Sequence, residues 1–255
     1  MQRSPIVVAR SLHDALSVAG GDGERVVVLP SSLERDDALA REVVAHLRAT
    51  TGRDATVAVP EGWGERLRGL RRDAPARWET VDVRAIEPST ELDRVVLPAS
   101  VAGAPAVIVA CDLDLSRVAA SGPYVLDVSA SYVAPRTRLR LHASRGRLGI
   151  VAEIDLALRL RGAVVALTVG GERRYIGTAD AIAGELVALA LSERERAGER
   201  SVVGPWEDPI VQRATELRLG VLLPEAIDLL VAAGDDTAEE AIASHLALRL
   251  GVRRG

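Results

Sequence analysis

Short valine-rich segments alternate with longer amphipathic segments through the first part of this chain. The strand-like segments are RVVVLP (25–30), DATVAVP (54–60) and WETVDVRAI (78–86), and the helical ones lie at 33–52 and 61–73. In the first helical segment Leu39, Val43 and Leu47 recur at the spacing of one helix face. This βαβαβ order is typical of a mostly parallel sheet with helices on its faces.

The second part of the chain continues this pattern and then becomes helical. Strands are predicted at 104–114, 136–148 and 163–170, and helices at 150–162, 179–199, 207–220, 224–234 and 237–251. We therefore expect an α/β fold: a layered, mostly parallel sheet flanked by helices, with a C-terminal helical cap. In this prediction residues 1–204 form the α/β domain, and residues 205–255 form the cap packed on it.

The composition excludes several kinds of chemistry. The chain contains no Phe, Lys or Asn, the residues with the most AT-rich codons, so the composition indicates a high-GC bacterium rather than a binding function. Without lysine the chain cannot form a Schiff base or build an ordinary phosphate-binding P-loop. A net charge of −4 disfavours a nucleic-acid partner, because nucleic-acid modules usually carry a clear basic excess.

The single cysteine and the lack of long apolar segments bound the setting of the protein. One cysteine, Cys111, allows neither an internal disulfide nor a multi-cysteine cluster within the chain. The amino end does not read as a signal peptide, and no segment reaches the roughly 18 apolar residues that span a bilayer. We therefore expect a cytoplasmic protein that has no membrane partner.

The order of several segments resembles the family known as domain of unknown function 362. The segment LPSSLERDDALAREVVAHLRA (29–49) is similar to the family's first strand and helix. His142, followed by a helix with Asp155 and an apolar strand, is similar to its later histidine unit. GTADAIAGELVALAL (177–191) is similar to its GTDPVAVDA turn and helix, and DPIVQRATELRLGV (208–221) to its closing helix. The resemblance covers roughly residues 25–221.

The chain departs from that family where chemistry is expected. The family's lysine-bearing motif after the middle strand is replaced by CDLDLSR (111–117), so Asp112 and Asp114 stand at two cationic positions. With one cysteine the chain cannot carry the ferredoxin-type segment of many relatives. The resemblance thus implies an accessory member with no iron–sulfur cluster.

Two acidic residues at the end of a strand are the first candidates for chemistry. Asp112 and Asp114 lie two residues apart and share one face of a strand. They could bind Mg²⁺ or Ca²⁺ with help from Glu153 or Asp155, or they could instead cap the next helix or pair with Arg117. With His142 they form a candidate catalytic set: Asp112, Asp114 and His142. The nearby Cys111 is predicted to be a small buried residue, because neighbouring acids disfavour a thiolate.

A second candidate is the segment GGERRYIGTAD (170–180). A loop after a strand and before a helix is a common anion site, because the free N–H groups of the helix end point at the ligand. The candidate ligand-binding residues are Arg173, Arg174, Gly177, Thr178 and Asp180. The alternative is structural: Gly177 makes the turn, Thr178 or Asp180 caps the helix, and the arginines face water.

Two classes of function follow from these candidates. The first is a noncatalytic accessory protein that binds a small anionic molecule or a protein partner. The second is a metal-assisted or acid–base enzyme that uses Asp112, Asp114 and His142 on an anionic substrate. The cofactor is left open. The apolar residues of the C-terminal helices either close the core of the same chain or form a homodimer; they are Ile227, Leu230, Val231, Ile242, Leu246 and Leu250.

Overall fold

A computed structural model describes residues 4–19, 25–30, 36–52, 54–58, 72–73, 78–113, 125–134, 137, 147–195, 204–232 and 237–252. Its strands in chain order are β1 (Ser4–Ala9), β2 (Arg25–Pro30), β3 (Asp54–Ala58), β4 (Arg72–Asp73), β5 (Trp78–Asp82), β6 (Arg94–Pro98), β7 (Ala106–Leu113), β8 (Leu160–Val169), β9 (Glu172–Thr178) and β10 (Ile227–Val231).

Its α-helices are α1 (Leu12–Leu16), α2 (Asp36–Thr51), α3 (Val83–Ile86), α4 (Ala99–Ala102), α5 (Arg147–Leu158), α6 (Ala181–Glu195), α7 (Pro209–Glu216) and α8 (Thr237–Leu250). Short 3₁₀ helices span Leu126–Tyr132, Pro205–Glu207 and Pro224–Ala226.

Eight strands form one sheet in the order β10-β1-β9-β8-β7-β2-β3-β4. Every neighbouring pair is parallel except the two pairs that include β9, which runs antiparallel to both β1 and β8. Strands β8 and β9 form a hairpin across Gly170 and Gly171, both at positive φ, where glycine has no steric penalty. The predicted mostly parallel α/β sheet is therefore confirmed.

The sheet is covered on both faces, which explains its runs of fully buried valines. Alternate residues of β2 pack on opposite sides: Val26 and Val28 against α2, and Val27 with Leu29 against the larger helical layer. In α2 the residues that face the sheet are buried as predicted; they are Leu39, Val43, Val44 and Leu47. Helices α5, α6, α7 and α8 pack together in the larger core on the other face.

Several predicted segments differ in the structure. The strand expected at 78–86 is β5 followed by α3, and β5 pairs with β6 in a separate two-stranded antiparallel sheet. The helix expected at 150–162 ends at Leu158, and β8 begins two residues later. The helix expected at 224–234 is instead a 3₁₀ turn and strand β10, which pairs with β1 at the edge of the main sheet.

The remaining predictions divide into those confirmed and those not covered. Strands at 25–30, 54–58, 106–113 and 160–169 and helices at 36–51, 181–195, 209–216 and 237–250 agree with the sequence analysis. Most of the helix expected at 61–73 lies outside the described residues, but its last two residues, Arg72 and Asp73, form strand β4, so the helix prediction is wrong there. The strand expected at 136–148 lies mostly outside the described residues.

The apolar residues of the C-terminal segment pack mainly inside the same chain. Ile242, Leu246 and Leu250 are buried in the larger core, and Ile227 is buried where β10 meets β1. Leu230 remains half exposed on β10. A homodimer through this segment therefore stays a prediction, as does the domain boundary at residue 204. Among the described residues, no helix is both long enough and apolar enough to cross a bilayer.

Candidate functional site

The predicted acidic site is only partly within the described residues. Asp112 lies near the end of β7, and its Oδ2 is 2.7 Å from Nη2 of Arg173. Asp114 and His142 fall outside the described residues, so their predicted catalytic role with Asp112 stays a prediction. Cys111 is fully buried in the larger core, as expected of a small apolar residue.

Both arginines of the predicted anion site are paired with carboxylates. Arg173 binds Asp112, and this hydrogen bond raises the pKa of Arg173. Arg174 is 2% exposed and lies 2.6 Å from Glu172 and 3.0 Å from Glu239, which also accepts a hydrogen bond from Arg10. These contacts already neutralise the charge of both guanidinium groups.

The other three predicted ligand residues lie at the opposite end of β9. Gly177 is inside the strand rather than in a turn, and a Cβ there would lie 1.7 Å from the carbonyl oxygen of Ala15. The five-residue step from Arg173 to Thr178 corresponds to about 17 Å along the strand. The structure therefore does not bring the two halves of this predicted site together.

Asp180 occupies the helix end that an anion was expected to use. Its Oδ1 accepts hydrogen bonds from the N–H groups of Ile182 and Ala183, and its Oδ2 accepts one from the Ser4 hydroxyl. Thr178 Oγ1 in turn accepts the Asp180 N–H. Burial raises the pKa of the Asp180 carboxyl, although these hydrogen bonds oppose the shift. The structural alternative, a cap on α6, is the one observed.

The residues proposed to help Asp112 bind a metal lie elsewhere. Glu153 is buried on α5 and accepts N–H groups of Glu91 and Leu92, besides an ion pair with Arg213. Asp155 lines a pocket beside the start of β8, whereas Asp112 pairs in register with Ala166, about 20 Å further along that strand. Within the described ranges no group of three potential metal ligands is found.

The pocket that Asp155 lines is a concave site to which several elements contribute. It has a volume of about 300 Å³ and lies where α5 meets β8, beside the first turn of α6 and the segment after α7. Three arginines line it: Arg159, Arg161 and Arg218. The rest of the lining is mostly leucine and isoleucine, together with Asp155, whose carboxylate oxygens are shielded from water.

Two of these arginines have an unusual backbone. Arg159 follows α5 with φ 53°, and Arg218 follows α7 with φ 57°. They are the two residues other than glycine with positive φ in the described part of the chain. Glycine is the usual residue at this position after a helix, because a side chain there costs roughly 1 kcal/mol or more. The fold therefore carries an arginine twice where glycine would be less strained.

The third arginine lies at a break in strand pairing. Val107 pairs with Leu160, but Ile108 pairs with Gly162, so Arg161 is the extra residue of an irregularity between β7 and β8. Such bulges redirect one side chain and often lie beside functional sites. The next residue must be small, because a Cβ on Gly162 would lie 2.6 Å from the carbonyl oxygen of Thr178.

The charge of the pocket is largely unbalanced. In the described structure, no side-chain hydrogen bond or ion pair within 4.0 Å joins Arg159, Arg161 or Arg218 to another residue. Hydrogen bonds with Ser89, and more weakly the charges of Arg218 and Arg213, lower the pKa of the exposed Glu87. Unlike Arg173 and Arg174, the three pocket arginines contact no carboxylate among the residues that the structure describes.

The sequence analysis missed this pocket, although a short repeated pattern marks it. Arg159 and Leu160 belong to LRLRG (158–162), and Arg218 and Leu219 belong to LRLG (217–220). These two Leu-Arg-Leu triplets both come at the end of a helix, and both arginines and both following leucines line the pocket. The same triplet at Leu248–Leu250 stays helical, and Arg249 there pairs with Glu193 at 2.6 Å.

Comparison with known proteins does not assign the chain to a family. No protein family model matches the chain, and no curated protein gives a significant match. The resemblance to domain of unknown function 362 therefore stays an expectation, and the functional argument rests on the pocket itself.

Proposed function

We propose that this protein binds a small organic anion in the pocket formed by Arg159, Arg161 and Arg218. The observation that carries the proposal is that three arginines line one pocket and contact no carboxylate within the described part of the chain. Each comes from a locally irregular backbone, two at positive φ and one at a β-bulge. Backbone strain of this kind concentrates at binding sites, because the surrounding structure is built to hold the side chain in place.

The chemistry of the pocket favours an anion over a neutral ligand. A guanidinium offers several N–H donors in a planar fork that matches a carboxylate or a phosphate. Three such groups around leucine and isoleucine walls suit a ligand with an anionic group and an apolar body. The helix end at α6 supplies few donors, because Asp180 already accepts the N–H groups of Ile182 and Ala183.

The proposal is one of binding without catalysis. The candidate acid Asp112 is held in an ion pair by Arg173 and is not part of the pocket lining. A binding protein of this kind is consistent with the accessory role that the family resemblance implies.

The test is titration calorimetry with inorganic phosphate, butyrate and butyl phosphate on the full chain. We expect Arg159→Gln and Arg218→Gln each to weaken anion binding by roughly tenfold to a hundredfold, the worth of a hydrogen bond to a charged group. Arg173→Gln is the matched control and should leave affinity unchanged. Loss of binding in Arg173→Gln alone would place the anion at the other end of β9 and overturn the proposal. Absence of binding by all three anions would also overturn it.

A further inference from the structure

A second pocket continues from the arginine pocket. It has a volume of about 460 Å³ and shares Leu160, Arg161 and Leu219 with the first. Its far wall is formed by the start of β1 and the segment between α7 and β10, where Pro5 and Leu223 lie. The two adjacent pockets are together called the cleft, and Arg161 belongs to the lining of both.

Most of the exposed large apolar side chains of the described structure lie in the cleft. Among the described residues five large hydrophobic side chains are exposed, and the first three of them line the two pockets: Ile86, Leu222, Leu223, Leu230 and Leu248. Ile86 lines the first pocket, and Leu222 and Leu223 line the second with exposures of 41% and 54%. Apolar residues that cluster around a concave site indicate a ligand-binding groove, whereas single exposed ones need no explanation.

The second pocket does not favour another charged group. Its polar wall is Asp180, whose carboxylate already accepts hydrogen bonds from Ser4, Ile182 and Ala183. Arg161 is the one arginine among the described residues of this lining, so a second anionic group there would lie close to the Asp180 carboxylate with a single cation to offset it. The part of a ligand that enters the second pocket should therefore be uncharged and apolar.

We infer that the ligand is an amphiphilic anion, with a carboxylate or phosphate head between the arginines and an unbranched apolar chain in the second pocket. This inference rests on the proposed function and adds the class of ligand. The head is held by Arg159 and Arg218, and the chain passes Arg161 to contact Leu222 and Leu223. Burial of each methylene is worth about fourfold in affinity.

The experiment is calorimetry with a series of straight-chain carboxylates from butyrate to decanoate, each below its critical micelle concentration. We expect affinity to rise by roughly twofold to fourfold per methylene until the chain fills the pocket. Leu223→Gln should flatten this dependence and leave butyrate affinity unchanged, whereas Arg159→Gln should weaken every member alike. Leu248→Gln is the control, because Leu248 is 80% exposed and lies outside both pockets.

The outcomes separate the two proposals. If butyrate binds through Arg159 but affinity does not grow with chain length, the amphiphilic ligand is excluded and the anion pocket stands. If affinity grows equally in Leu223→Gln and Leu222→Gln, the chain lies elsewhere and the inference fails. If no carboxylate of any length binds, the inference fails together with the proposed function. Equal binding of the straight-chain alcohols would also overturn it, because the arginines would then play no part.

Discussion

Single residues at the ends of two helices determine what the cleft can bind. Arg159 and Arg218 each come directly after or shortly after an α-helix, and the backbone of each arginine has the left-handed conformation. After α7 the N–H of Leu219 donates to the carbonyl of Ala214, a six-residue closure in which glycine is the usual residue at the position that Arg218 occupies here. An arginine at such a position contributes a positive charge to the pocket at a cost to the stability of the fold.

This cost gives a prediction for Arg159→Gly. Glycine relieves roughly 1 kcal/mol of backbone strain, partly offset by a lost charge near the helix carboxyl end worth about 0.3–1 kcal/mol. We therefore expect the free energy of unfolding in urea to stay equal or rise slightly, while binding of inorganic phosphate or butyrate weakens. Arg249→Gly is the matched control: it lies inside α8 and should destabilise the fold. Clear destabilisation by Arg159→Gly would contradict the strain argument.

Pairs of elements hold these residues in place through buried polar groups. Glu153 on α5 is almost fully buried and accepts the N–H groups of Glu91 and Leu92. Arg213 on α7 completes the cluster with an Nη2–Oε1 distance of 2.7 Å. Because Arg159 follows α5 and Arg218 follows α7, this ion pair joins the two helices that precede two of the pocket arginines.

The effect of Arg213→Met follows from the burial of its partner. Removal of the guanidinium leaves a buried carboxylate without its counter-charge, so we expect a loss of about 3 kcal/mol, the low end for a broken buried pair because two amide donors remain. Urea denaturation measures it. Arg84→Met is the control: it breaks an exposed ion pair with Asp93 of similar length and should cost less than about 1 kcal/mol. Equal losses in the two variants would show that the Glu153 cluster contributes no special stability.

Elements with strong periodicity were predictable, and those whose state depends on pairing partners were not. The buried strands β2, β3 and β7 and helices α2 and α6 have clear patterns of their own. Strand β9 carries charged residues, and the Pro-Glu start of 224–226 is typical of a helix, so both strands β9 and β10 become clear only beside β1. The predicted anion site was wrong for the same reason. Its residues were assigned to one loop, but Arg173 and Thr178 lie at opposite ends of strand β9, which is antiparallel to both neighbouring strands.

At the scale of the whole molecule, the C-terminal segment is built into the sheet and its larger core. Strand β10 extends the sheet beyond β1, and Trp206 Nε1 donates to the carbonyl of Leu250. Buried residues of α7 and α8 belong to the same apolar cluster as those of β7 and β8. These contacts predict that the described elements unfold as one cooperative unit rather than as a domain and a detachable cap.

Leu246→Ala tests this directly. Leu246 is fully buried on α8, so truncation should cost about 2–5 kcal/mol. If the molecule is one unit, amide hydrogen exchange should show the same loss of protection in β2 and β7 as in α8, because their slowest amides exchange through the same global opening. Val43→Ala in α2, on the opposite face of the sheet, is the reciprocal control. It should lower the protection of the α8 amides by the same free energy that this substitution removes from the stability of the whole protein. A loss confined to residues 205–252 would instead mean that this segment opens alone, and the cleft that it helps to line would then open with it.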